Sequence, residues 1–352
     1  MTLAVGFNAH RLSPGWLLKA AAILMAATGI GFAGFTDFWP LLIVAFVGTL
    51  NPSGGDVSVF LPLEHSLLAG AVESRHRTAL FARYSLIGSL IAAVGALAAA
   101  IPELMTGWVA IDFKSALQGA FLFYGLIGAV AFAIYRRLAR PVRRADGGSP
   151  AVPLGPSRNI VGQLVMLFSL DAFAGGLVVQ SMLAVWLFQR FDLTAAEAGT
   201  IFFWAGLLSA LSYPVAVRIA ARIGLVNTMV FTHVPANIFL ILTALMPSLP
   251  LAVACLLIRS FLSQMDVPTR TSYVMAVVTP EERPAAASVT AVPRSLASAA
   301  SPVLTGYLLG LSAFGWPLIA CGVLKIVYDL LLLKMFRDVR PPEEPPSKST
   351  GA

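Results

Sequence analysis

Ten stretches of mostly apolar residues follow one another along this chain, each near the ~20 residues an α-helix needs to cross a bilayer. They run over 16–35, 38–70, 77–101, 115–136, 160–188, 195–220, 225–246, 249–278, 286–311 and 315–336. In hydrocarbon a backbone must satisfy its own N–H and C=O groups, so segments of this length and apolarity predict helices. Composition agrees: 58% of the 352 residues are hydrophobic and 12% are charged, against about 25% charged in a soluble domain. The expected class is an all-α integral membrane protein with about ten transmembrane helices.

Other classes drop out on residue types. Cys255 and Cys321 both lie inside apolar spans, which gives no disulfide framework. His10, His65, His76 and His233 are scattered without metal-ligand spacing. No nucleophile–base pattern suggests an enzyme, and no cofactor or metal is expected. The formal charge of +7 reads as loop asymmetry rather than as a nucleic-acid signal.

Polar punctuation divides the chain. Tyr135–Asn159 is rich in Arg, Pro and Gly and reads as a flexible basic linker between two halves. Val339–Ala352 is disordered by composition. The expected domains are therefore 1–135, a linker at 136–159, a second bundle at 160–337 and a tail at 338–352. With the linker in the cytoplasm, alternating spans leave only Lys114 and Arg190 outside. The positive-inside rule then puts both termini in the cytoplasm of a cell (plasma or inner) membrane protein. Met1–Pro14 lacks the short apolar core and cleavage site of a signal peptide.

One span is anomalous. The stretch 257–278 carries Arg259, Asp266 and Arg270. At +7 and +4 spacing these fall within roughly 40° of each other on a single helix. A charge at mid-bilayer costs roughly 2.5–3.5 kcal/mol on insertion scales, so this face should meet protein or a wet cavity.

An internal repeat supplies a partner. At an offset of 206, Phe60–Ala79 falls without gaps on Asp266–Ala285, matching Pro62 to Pro268, Ser66 to Ser272, Arg77 to Arg283 and Ala79 to Ala285. Glu64 falls on Arg270. The repeat also predicts one long kinked helix over 38–70, despite the turn signal at Asn51-Pro-Ser-Gly-Gly-Asp56. The spans at 160–188 and 195–220 have no counterpart in the first half. The expectation is a 6+6 helix protein whose first two helices would precede Met1, absent through a late start codon or a truncated gene.

Thr279-Pro-Glu-Glu-Arg283 and its echo Val72–Arg77 resemble loop motifs of the major facilitator superfamily, as does the degenerate Arg218-Ile-Ala-Ala-Arg-Ile-Gly224 run. The resemblance covers nearly the whole chain, as family helices 3 to 12 in a 4+6 arrangement of two bundles. The family's Gly-Pro-x-x-Gly-Gly antiporter pattern is absent from Gly88–Pro102. Such resemblance implies a secondary transporter that moves a small organic solute by alternating access, with protons as coupling ion, efflux as one mode and a monomeric state in the lipid bilayer. The competing expectation is a transport-inactive remnant or membrane scaffold.

In this family helices 1, 4, 7 and 10 line the cavity. That places Asp56 and Glu64 on one wall, Asp171 on another, and Arg259, Asp266 and Arg270 on a third, as the expected solute and ion pathway. Arg270 either pairs with Glu64 across the bundles or locally with Asp266 at i, i+4. Asp171, before Gly175-Gly176, is the expected coupling carboxylate. Arg259 either binds an anionic group or pairs with Asp56 or Asp266. Lys325 and Asp329 are expected to pair with each other, and Gly88, Gly95, Ser298 and Ser301 to be small-residue helix contacts.

Overall fold

A computed structural model describes residues 14–50, 64, 77–108, 111–138, 155, 157–277 and 283–337. Asp56, the 51–63 turn signal, most of the repeated segment at 60–79, most of the basic linker and the 338–352 tail lie outside them. Among the described residues the regular structure is helical throughout. Thirteen helices follow in order: α1 Pro14–Gly34, α2 Phe38–Val47, α3 Arg77–Ala98, α4 Ile101–Trp108, α5 Phe113–Leu138, α6 Arg158–Gly176, α7 Gln180–Phe191, α8 Ala195–Ile223, α9 Leu225–Leu245, α10 Leu249–Ser263, α11 Asp266–Val277, α12 Arg283–Leu311 and α13 Trp316–Phe336.

Among the described residues, six stretches of helix are long and apolar enough to cross a membrane: 15–34, 82–107, 113–137, 158–191, 195–223 and 225–245. The remaining expected spans also contain helix. α13 has the length but holds Lys325, Asp329 and Lys334, and α2 and α10 are short.

Three expected spans are broken: the single helix expected over 38–70 stops at Val47, where Gly48 is extended, and two others break for local reasons. The span at 160–188 ends its first helix at Gly176 and restarts at Gln180. Glycine costs about 1 kcal/mol relative to alanine in a helix interior, and two adjoin here. The Thr305 hydroxyl donates to the Leu177 carbonyl at 2.7 Å, which satisfies a backbone group at the break. Gly176 is required by close approach, since a Cβ there would lie 2.6 Å from the Ser298 carbonyl oxygen. The span at 249–278 breaks at Gln264–Met265. Pro268 has no N–H to offer the Gln264 carbonyl, and Asp266 in the first turn of α11 suits a helix N-terminus. Arg259 is thus on α10, while Asp266 and Arg270 are on α11, so the three do not share one unbroken helix.

Arg218–Ile223, expected as loop, instead completes α8. Gly224 then turns the chain at φ 87°, a left-handed value that side chains resist.

Two compact units are present. The first comprises 1–77, 91–147 and 193–203, and the second 78–90, 148–192 and 204–352. In the first, α1 packs along α5. A Cβ at Gly29 would lie 2.5 Å from Gly125 N, so the two backbones nearly touch. In the second, α6 packs on α12 and α13, and α9 packs on α10, α11 and α13. Its apolar core joins Leu164, Leu167 and Phe168 of α6 to Met229, Tyr273, Tyr328 and Phe336. No described atom lies within 4 Å of a Cβ placed at Gly88 or Gly95. Those two make no tight helix contact among the described residues, whereas Ser298 and Ser301 do meet Gly176.

Candidate functional site

The same helices that build the second unit's apolar core also enclose its charges. Asp171 lies one turn beyond Leu167 and Phe168 on α6 and is 4% exposed. Its Oδ1 accepts from Lys325 Nζ of α13 at 2.6 Å, and its Oδ2 from Arg270 Nη1 of α11 at 2.9 Å. Arg270 also ion-pairs with Asp266 one turn earlier. Asp171 is therefore not a solitary buried carboxylate but the centre of a network of two carboxylates and two cations. Each charge has an opposite partner, which is what allows the group to sit away from water.

Of the two arrangements expected for Arg270, the local one with Asp266 is present. Glu64, in the first unit, accepts a hydrogen bond from the Tyr135 hydroxyl.

The expected Lys325–Asp329 pair is not formed. Lys325 reaches Asp171 on α6, while Asp329 faces α9, where His233 Nδ1 lies 2.9 Å from its Oδ1. The i, i+4 rule considers one helix surface, and here the facing helices offer each side chain a better-enclosed partner.

Two further arginines lie close by without carboxylates. Arg294 of α12 and Arg270 sit over the Phe168 ring, at 5.9 and 5.7 Å from its centroid. Cation–π contact of this kind contributes about 0.5–2 kcal/mol. The Nε atoms of Arg259 and Arg294 are buried with no hydrogen-bond partner. Among the described residues neither arginine has a carboxylate within 4 Å, so Arg259 does not pair with Asp266. Sequence reasoning does not single out Arg294 or His233. The signal available for both was position alone, since an ionisable residue inside an apolar span is functional by default.

Helices long and apolar enough to cross a bilayer, one of which carries a buried carboxylate ion-paired to two other helices, point to a multi-pass membrane protein. A family model described as Major Facilitator Superfamily matches residues 164–352, more than half of the chain, and the chain belongs to that family. It is 24% identical over 358 residues to the uncharacterized membrane protein YJR124C of Saccharomyces cerevisiae, covering 92% of this chain and 80% of the relative. It shares its fold with the human organic anion transporter MFSD10 (TETRAN), at a TM-score of 0.69 and 18% identity over 94% of this chain and 80% of the other. A bacterial homolog of the human lysosomal transporter Spinster, inward-facing and unoccupied, matches at a TM-score of 0.61 and 15% identity over 94% and 84%. The family is one of transporters rather than enzymes.

Proposed function

We propose that this protein is a secondary active transporter that moves a small organic anion by alternating access. The observation that carries the anionic class is charge balance inside the second unit. The helices of this unit carry Arg259, Arg270, Arg294 and Lys325 against Asp171, Asp266 and Asp329 in the count of charge. With His233 neutral, one positive charge is in excess. Among the described residues Arg270 and Lys325 hold ion pairs whereas Arg259 and Arg294 do not, and each of these two leaves a buried Nε without a hydrogen bond, so the surplus lies on arginines that a carboxylate or phosphate group on a solute could complete. Arginine suits that task through its fixed fork of donors. The organic-anion transport named for one structural neighbour falls in the same class.

In this reading the two expected bundles, 1–135 and 160–337, rock about a midplane site. Protons are the coupling ion, both termini are cytoplasmic, and the protein works as a monomer in the cell membrane. Asp56 and Glu64 contribute from the first bundle. The Asp171–Arg270–Lys325 network holds the wall beside the solute.

The test is a reconstituted one. Proteoliposomes on a solid-supported membrane are challenged in turn with monocarboxylates, dicarboxylates, organic phosphates, neutral sugars and amines. Currents are expected with anions alone and are expected to be lost in Arg259→Gln and Arg294→Gln. Currents with amines or sugars only would remove the anionic class. Silence across the panel favours the inactive remnant.

A further inference from the structure

One buried titratable pair has no part in the network around Asp171. His233 Nδ1 lies 2.9 and 3.1 Å from the two oxygens of Asp329. Asn237, one turn along α9, donates its amide to Asp329 Oδ2 at 3.2 Å. His233 is 3% exposed and Asp329 1%. The Tyr328 ring stands edge-on to the imidazole at 6.4 Å.

The charges on the surrounding helices are committed elsewhere or unpaired. Asp171 of α6 holds Arg270 of α11 and Lys325 of α13, and Arg270 also holds Asp266. Arg259 of α10 and Arg294 of α12 make no ion pair with Asp329 among the described residues. Asp329 thus has an imidazole and an amide for partners, but no fixed cation.

That difference sets the chemistry. With a proton on the pair beyond the neutral imidazole, it is an imidazolium–carboxylate or a neutral imidazole with a carboxylic acid, and its net charge is zero. Without that proton it bears a full negative charge among apolar side chains, which is costly unless a cation moves in. The nearest mobile cation is Lys325, one turn before Asp329 on the same helix, an i, i+4 spacing that lets side chains meet. Its stem is flexible and its ammonium now rests on Asp171.

We propose that His233 and Asp329 form a proton-binding site, and that Lys325 answers release of the proton by passing from Asp171 to Asp329. This rests on the reading of the chain as a transporter. The balance is one proton lost from the pair and one ion pair exchanged for another. In the protonated state Lys325 ties α13 to α6. In the deprotonated state that tie is cut and Asp171 is left to Arg270. The network that holds the wall beside the solute thereby senses the proton without sharing its site.

The experiment uses the full chain in detergent, without any solute. Proton uptake is counted with a pH electrode from about pH 9 to about pH 5, the range in which histidine charge normally changes. The ¹⁵N spectrum of labelled histidine reports the state of the His233 ring nitrogens, assigned by His233→Gln. Asp329→Asn is expected to bind about one proton fewer per chain over that range. In Lys325→Met the His233 signal is expected to stop responding to pH. A wild-type His233 signal identical at both ends of the titration overturns the site, and that measurement needs no variant to fold. A responsive His233 beside silent proteoliposomes removes the transport reading and leaves the site. Solute currents beside an unresponsive His233 do the reverse.

Discussion

The helix pair α1–α5 and the helix group α6, α9, α11 and α13 meet the same requirement by opposite means. Both hold apolar helices together where the surroundings offer no hydrophobic gain. α1 and α5 do it by close approach, with Gly29 against Gly125 and Gly128 against Ala26. The second group does it with ion pairs from Asp171, Arg270 and Lys325. The two solutions leave different surfaces. The α5 span is 11% buried, whereas the span that carries Asp171 is 44% buried. Small-residue contact is a narrow seam that leaves most of each helix facing outward. Charge contact demands enclosure on every side.

The largest expected effect tests the charged side of this contrast. Asp171→Ala leaves Lys325 with no partner and Arg270 with one fewer. Breaking a buried pair from one side costs about 3–5 kcal/mol, read as a lower melting temperature in detergent. Asp171→Leu with Lys325→Met should recover part of it. If the double variant is no better than the single, the network is not held together by charge pairing.

Next in size is Gly29→Leu. The side chain would meet the α5 backbone, and overpacking costs about 1–3 kcal/mol. Gly88→Leu, where no described atom lies within 4 Å of a Cβ, should leave melting unchanged. Equal loss in both would dissolve the claim that close approach holds the first pair.

The smallest effect sharpens the boundary between the two regions. The first unit does contain a polar contact, Thr49 Oγ1 to Tyr124 Oη at 2.9 Å. Thr49→Val should cost about 0.6 kcal/mol, the average for hydrogen bonds between membrane helices. A loss as large as that of Asp171→Ala would mean that the first unit also depends on its polar groups.

Helical class was legible because hydropathy reports burial in lipid residue by residue. The Asp266–Arg270 pair was legible because both members lie on one helix, one turn apart. The partners of Asp171 were not. They stand 99 and 154 positions away in the chain, and no local spacing rule spans that distance. The same blindness explains Lys325 and Asp329, whose true partners lie on α6 and α9. The breaks at Gly176 and Gln264 were masked by apolar neighbours that keep a hydropathy window high on either side. His233 was passed over because its partner, Asp329, lies 96 positions away.

α13 provides one member of two polar contacts in the second unit's interior: Lys325 for Asp171, and Asp329 for His233. It is also the last described helix to leave the ribosome. Chains are made from the N-terminus at roughly 5–20 residues per second, so for several seconds α6 and α9 sit in the membrane holding a carboxylate and an imidazole that await their counterparts. Completion of the interior is thereby tied to the synthesis of α13. A chain stopped before Trp316 would present those unmatched groups to membrane quality control, and this offers the cell a chemical mark of an unfinished copy.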